Sequence, residues 1–397
     1  MDFFQFKFVG PKVGRYLRFM STLMPNLWSN TAKEWLLVGR GHRVAGTQMI
    51  IDKEGGVAWS LIVPYLQNLL CESDGDACGV CSHCQQVAKF THPDLRLSFP
   101  HITEQSKQED VGIDASTQQL FREFLGDNPF PLLHNWQHTL GAEKKSLLIP
   151  STEATAISKW LNIKPLMAKR KVVVMWLPER MNDSAANKLL KSFEEPAAHV
   201  KIVMISHDED AVLGTIRSRC LPTYLEPAVN LSKYLEEAHQ INPTQCQVVT
   251  ELAQSRPGLA LEYLTHRELL AQPIEAFVTL MRSAFKRDAV ALLVWSDQLS
   301  SWTREELGNF FHISGTMLSQ LNRMRHGYEG HHMFEWFPEI DFKPQGFAKV
   351  LDDATLKLAL DELGRAQKDI RRNLNARIVL YDFGLSLLKA FATRTSS

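Results

Sequence analysis

Much that would narrow the function class is missing from this chain of 397 residues. No apolar run reaches the roughly 20 residues that a membrane-spanning helix needs. Neither sign of charge is in excess: 44 Lys and Arg face 44 Asp and Glu, for a formal net charge of zero. That argues against a protein whose main work is coating nucleic acid, although a local basic patch stays open. The first ten residues, M-D-F-F-Q-F-K-F-V-G, lack the basic-then-apolar order of a secretory signal, so the expected location is the cytosol. Internal repeats and low-complexity tracts are absent as well. Cysteine is scarce except in one place, where four of the six fall between residues 71 and 84.

What is present has a clear order. Up to about residue 226, short apolar runs alternate with helical patterns, which predicts an α/β domain built on a parallel sheet. The expected strands are Thr47–Ile51, Leu95–Phe99, Val172–Leu177 and Lys201–Ser206. Between the second and third lies a polar insertion, about 100–165, with helical patterns at Gln118–Leu125 and Pro131–Leu140. The segment Asn182–Phe193 opens on capping residues and carries apolar residues at helical spacing, as a crossover between two strands requires. Beyond Pro227 the pattern is helical: a small group at 227–270, then a bundle at 271–397 ending in a helical stretch Thr355–Thr393. Ile370, Leu374, Ile378 and Tyr381 are spaced as a packed helix face. His331–Lys343, rich in aromatics, reads as a loop.

The cysteine spacing is Cys71-x6-Cys78-x2-Cys81-x2-Cys84. In a reducing compartment such a cluster points to a metal before it points to disulfides. Four thiolates leave no open coordination position, so the expectation is structural Zn²⁺ and not a catalytic metal. Reduced, unliganded thiols are the alternative, and His83 is a possible substitute ligand.

The stretch M-I-I-D-K-E-G-G-V-A-W-S-L, residues 49–61, has the outline of a phosphate-binding loop without its working parts. A functional loop reads G-x-x-x-x-G-K-[ST], in which backbone N–H groups and Lys hold phosphate and the hydroxyl holds Mg²⁺. Here the matching positions are Asp52, Val57, Ala58 and Trp59. Gly55 and Gly56 are explained by the turn alone.

Three further stretches belong with these: Thr91-His92-Pro93-Asp94, L-L-K-S-F-E-E-P at Leu189–Pro196, and Ser218-Arg219-Cys220. With the cysteine knuckle they resemble the AAA+ clamp-loader family of bacterial DNA polymerase III, most closely its delta-prime branch. The resemblance implies an AAA+ α/β module (P-loop-like, three-layered), a small helical lid domain and an all-α collar domain, at 1–226, 227–270 and 271–397. It also implies partners: motor (gamma/tau) and delta subunits, the sliding clamp, and primer–template DNA reached through the complex, with no membrane. Arg219, flanked by Ser218 and Cys220, would be an arginine finger acting on ATP in a neighbouring motor subunit. A surface ion pair is the alternative for that side chain.

Where the motors have an Asp-Glu pair after the insertion strand, this chain has Trp176 and Leu177. The helical domain's sensor arginine corresponds to Gly258. With Ala58 and Trp59, these departures imply that ATP is not bound productively and that the chain has no intrinsic catalysis, serving as the stator of a polymerase holoenzyme. Two rival readings are an active motor subunit and a zinc-dependent DNA-binding module. Lys191, Glu194 and Glu195 read as an exposed helix end stopped by Pro196, Lys169-Arg170-Lys171 as solvated charges before a strand, and His92-Pro93-Asp94 as a turn. Trp35, Trp136 and Trp160 read as packing residues.

Overall fold

A computed structural model describes residues 24–39, 44–73, 77–102, 112–143, 145–328, 336–337 and 339–393. The amino-terminal segment judged against a secretory signal therefore lies outside the described residues, as does much of the loop expected at 331–343.

The chain divides into two compact units, one of residues 1–240 with 253–261 and one of 241–252 with 262–397. The first is built on five parallel strands: β1 Thr47–Ile51, β2 Leu95–Ser98, β3 Lys171–Trp176, β4 Val200–Ser206 and β5 Leu221–Tyr224. Their order across the sheet is β2-β3-β4-β1-β5. Every residue of β3 and β4 is buried, as continuous apolar runs demand when helices cover both faces. On one face, helices Ser151–Leu161 and Asp183–Glu194 supply Ile157, Leu161, Ala185, Leu189 and Phe193 to the core. Elsewhere in the unit, Trp35 stacks on Tyr65 with ring centroids 3.8 Å apart.

The four expected strands are all present, with ends shifted by at most one residue. Among the elements that escaped prediction, two are instructive. Strand β5 reads L-P-T-Y, and its proline and exposed residues disguise it; it pairs only with β1, and an edge position tolerates a missing N–H. Helix Ser151–Leu161, inside the insertion, has its apolar stripe broken by Glu153. That carboxylate is fully buried because Arg96 pairs with it at 3.0 Å and Ile113 donates its N–H at 2.9 Å. Pattern reading has no means of anticipating a charged residue in the core.

The second unit is helical among its described residues, with long helices at Glu268–Lys286, Ala289–Leu299, Arg304–Arg325, Asp353–Arg371 and Ala376–Thr393. The expected continuous helix from 355 to 393 is two helices. The break falls at 372–375, where Asn373 is left-handed at φ 68°. Spacing counted across a break loses its meaning: Ile370 is buried, but Leu374 and Ile378 are 50% and 68% exposed. Pro344–Val350 forms a short helix that the sequence reading did not anticipate.

Candidate functional site

The knuckle begins where helix Ala58–Leu70 ends at Cys71 and closes in helix Ser82–Ala88. All four Sγ atoms lie within 4.8 Å of one another. Cys71 Sγ is 3.6 Å from Cys78 Sγ and 3.9 Å from Cys81 Sγ. A tetrahedral ion with metal–sulfur bonds of about 2.3 Å sets sulfur–sulfur edges near 3.8 Å, so the four cysteines fit such an ion. Backbone N–H groups of Cys78, Cys81 and Cys84 donate to sulfurs at 3.3–3.4 Å, which favours thiolates. The N–H groups of Val80 and Cys81 draw the Cys78 thiol down to about 6. Gly79, at φ 70°, makes the turn between the second and third ligands. The group can hold a metal ion and is compatible with structural zinc.

His83 is turned to other work. His92 Nδ1 accepts the Asp94 N–H at 3.0 Å, which leaves the His92 proton on Nε2, facing His83 Nδ1 at 2.9 Å. His83 Nε2 then faces Glu72 at 3.1 Å. The Asp94 carboxylate accepts N–H bonds from Leu166, Met167 and Ala168 at 2.6–2.8 Å, and those bonds, outweighing burial, hold its pKa below the usual range. H-P-D is thus a turn, and it also anchors the loop before β3. Lys171 pins the same loop, its ammonium donating to Trp160 O and Ile163 O at 2.8 and 3.0 Å. It is buried, unlike the solvated charge that its sequence position suggested.

The turn after β1 is closed by its own residues. Asp52, 5% exposed, accepts the Ala58 N–H at 2.7 Å, and burial raises its pKa to about 6. Gly55 stands at φ 72°, and its carbonyl accepts the Gly258 N–H at 2.8 Å. A Cβ on Gly258 would meet Phe130 O at 2.3 Å, so no side chain fits there without movement. Trp59 and Trp176 meet edge to face with centroids 6.2 Å apart, in a cluster with Phe121. Trp176 donates to His207 Nε2 at 3.3 Å, and Leu177 is buried in a left-handed conformation. The departures from an ATP site therefore touch one another or the turn itself: Asp52 bonds Ala58, Gly258 bonds the turn residue Gly55, and Trp59 packs on Trp176.

Arg219 follows the short helix Gly214–Arg217, just before edge strand β5. Its side chain is 29% exposed, donates to Thr215 O at 2.7 Å, and faces Glu194 at 3.4 Å. The structure thus gives it a surface ion pair, at a distance that holds the guanidinium loosely. Arg217 pairs separately with Asp210 at 3.2 Å. Cys220 is partly buried, and its thiol is pushed up to about 12.

Residues 40–229 match the family model described as DNA polymerase III, delta subunit. The resemblance is to DNA polymerase III delta′ subunits. The delta′ subunit of Pseudomonas aeruginosa is 27% identical over 194 residues, covering 47% of this chain and 45% of that protein. The delta′ subunit of Escherichia coli K12 is 24% identical over 299 residues, covering 73% of this chain and 72% of that protein. The chain thus spans less than half of the Pseudomonas delta′ length. Among solved structures, a gamma subunit-related protein of Thermotoga maritima aligns over 91% of this chain and 99% of its own, at 14% identity and a TM-score of 0.37.

The delta′-matching region takes in the knuckle, the closed turn and Arg219 together. Sequence reading named these residues but missed the contacts supporting them. Glu194 is the exposed helix end expected, and it is also the carboxylate that faces Arg219. Asp52 was read as a lost glycine, although it fills the turn. A carboxylate directly after a buried strand was the signal available for the second.

Proposed function

We propose that this chain is a delta′-type subunit of a DNA polymerase III clamp loader, a stator that does not hydrolyse ATP. In this reading the α/β unit is an AAA+ module, Cys71, Cys78, Cys81 and Cys84 hold a structural Zn²⁺, and the protein works in the cytoplasm. Arg219 reaches ATP bound by an adjacent motor subunit and stabilises charge on its transferring phosphate. An arginine supplied in trans can raise such a rate by ~10³–10⁵ in related chemistry. The partners are motor and delta subunits and the sliding clamp, with primer–template DNA engaged through the assembly.

The observation that carries the reading is the paired closure of the turn after β1. The position of the catalytic lysine is Ala58, whose N–H is taken by Asp52. The positions of the metal-binding hydroxyl and carboxylate are Trp59 and Trp176, packed on each other. An indole neither coordinates Mg²⁺ nor polarises water. Arg219, by contrast, keeps a permanently charged fork, partly exposed, with a bond to Thr215 O and a long ion pair to Glu194 to exchange. The collar role draws support from the helical unit. Helices Ala289–Leu299 and Ala376–Thr393 run antiparallel, with Asp297 paired to Arg377 and Leu292 beside Gly384. They expose Val290, Leu293, Val294 and Ile378, an apolar set suited to helix–helix association.

The test is reconstitution with motor, delta and clamp subunits, followed by DNA-stimulated ATP hydrolysis with wild type and Arg219→Ala. A loss of about 10²-fold or more with assembly intact is expected. Unchanged hydrolysis would reduce Arg219 to a structural residue, and hydrolysis by this chain alone would overturn the stator reading.

A further inference from the structure

The guanidinium of Arg219 is held firmly on one side only. Nη1 donates to Thr215 O at 2.7 Å and to Ser218 Oγ at 3.3 Å, which ties one arm to its own short helix. The other edge, Nη2 with Nε, is the one free to grip an anion through two parallel bonds, and it faces Glu194. Nη2 stands 3.5 Å from Oε1 and Nε 3.4 Å from Oε2, both longer than the charge-assisted optimum of about 2.8 Å. Nε is shielded from solvent and still makes no hydrogen bond. The carboxylate covers the forked edge without satisfying it.

Both backbones are fixed. Thr47 Oγ1 donates to Phe193 O at 2.8 Å, one residue before Glu194, and the Arg219 N–H bonds Ile216 O at 3.0 Å, next to the buried Ile216 side chain. Exchange at this pair is therefore a matter of side-chain rotation. Glu194 ends helix Asp183–Glu194 and Glu195 follows it, so two carboxylates stand at the negative end of a helix, where a cation is favoured. That field draws Arg219 back to Glu194 whenever no stronger anion holds it.

We infer that Glu194 is a positioning residue for Arg219: a competing anion that seats the guanidinium between encounters and is displaced by the phosphates of ATP on the neighbouring subunit. The inference rests on the reading of Arg219 given above and adds a regulator within the same chain. A triphosphate carries more charge than one carboxylate and offers oxygens in the same forked geometry. It wins the exchange, and a half-exposed ion pair of this length resists it only weakly. The seat lowers the apparent affinity for ATP across the interface and takes the finger back once phosphate has left.

The test uses the complex reconstituted with motor, delta and clamp subunits, and reads kcat and KM for ATP in DNA-stimulated hydrolysis. Four forms are compared: wild type, Glu194→Gln, Arg219→Ala and the double variant. Gln keeps the volume of Glu194 without its charge, at a side chain 56% exposed, so the fold is not at risk. With Glu194→Gln, kcat/KM should rise about two- to fivefold through a lower KM. In the Arg219→Ala background the same change should leave KM where it was, because there is no finger to release. Where that background hydrolyses too slowly for a KM, binding of the non-hydrolysable imido analogue of ATP makes the same comparison. A fall in kcat/KM or an unchanged KM would overturn the inference, as would an equal shift in both backgrounds. Hydrolysis unaffected by Arg219→Ala alone would instead sink the finger reading, so the two failures are told apart.

Discussion

Asp52 shows how much one side chain can set. Burial raises its pKa from 3.8 to about 6, overcoming the N–H bonds and the nearby His207, which pull the other way. The charged neighbour acting on it is His207, whose Nδ1 lies 3.0 Å from the Asp52 backbone carbonyl oxygen; Glu179 stands one step further, accepting the backbone N–H of His207. A carboxyl whose folded pKa is raised favours the fold when protonated. Its contribution is fully present below pH 3.8 and is lost as pH rises through 6. A rise to about 6 corresponds to about 3 kcal/mol as an upper scale. Asp52→Asn, permanently neutral, should therefore gain stability relative to wild type as pH rises from 4.5 to 7. Urea unfolding of both proteins across that range measures the difference. A gap that stays constant with pH would show that Asp52 titrates as an ordinary carboxyl.

At the scale of elements, the zinc reading of the knuckle makes its order depend on something other than packing. Of the four cysteines Cys78 is exposed, Cys71 and Cys81 are partly exposed and only Cys84 is buried. Closing a loop of that length is worth roughly 3 kcal/mol by chain entropy. Removing the metal with a chelator, or Cys81→Ser, should lower the unfolding temperature of the α/β unit by several degrees. Elemental analysis should find one zinc per wild-type chain; a metal-free protein of unchanged stability would refute the zinc assignment. The clustering of the four cysteines was legible from sequence because their spacing is local. So were β1, β3 and β4, whose apolar runs have no other explanation than burial. Helix Ser151–Leu161 and strand β5 were not legible, because Glu153 depends on an arginine 57 residues away and Pro222 on an edge position. The break at Asn373 was hidden because helical spacing on both sides happened to run on. What pattern reading lacks in each case is the identity of a distant partner.

The same limit applies to the whole molecule. The positions lost from a phosphate loop were visible one by one, whereas their mutual contacts were not. Asp52 bonding Ala58, Gly258 bonding Gly55, and Trp59 packing on Trp176 are facts of the fold. The helical unit offers a test at this scale. Val294→Glu and Ile378→Glu place charge on exposed positions, 51% and 68% accessible, so the isolated chain should keep its stability within about 0.5 kcal/mol. If this face joins other subunits, the same changes should weaken assembly by about tenfold or more, measured by sedimentation of the reconstituted complex. Full assembly by both variants would move the interface elsewhere.

The backbone bond from Gly258 to Gly55 has a consequence for how such a protein lives in a cell. A turn held by its own carboxylate and its own amide draws nothing from solution. On the stator reading, its shape would stay the same whether ATP is plentiful or exhausted, through growth and starvation alike. A partner that cycles with nucleotide would always find this face in one form, a fixed landmark against which its own movements are set.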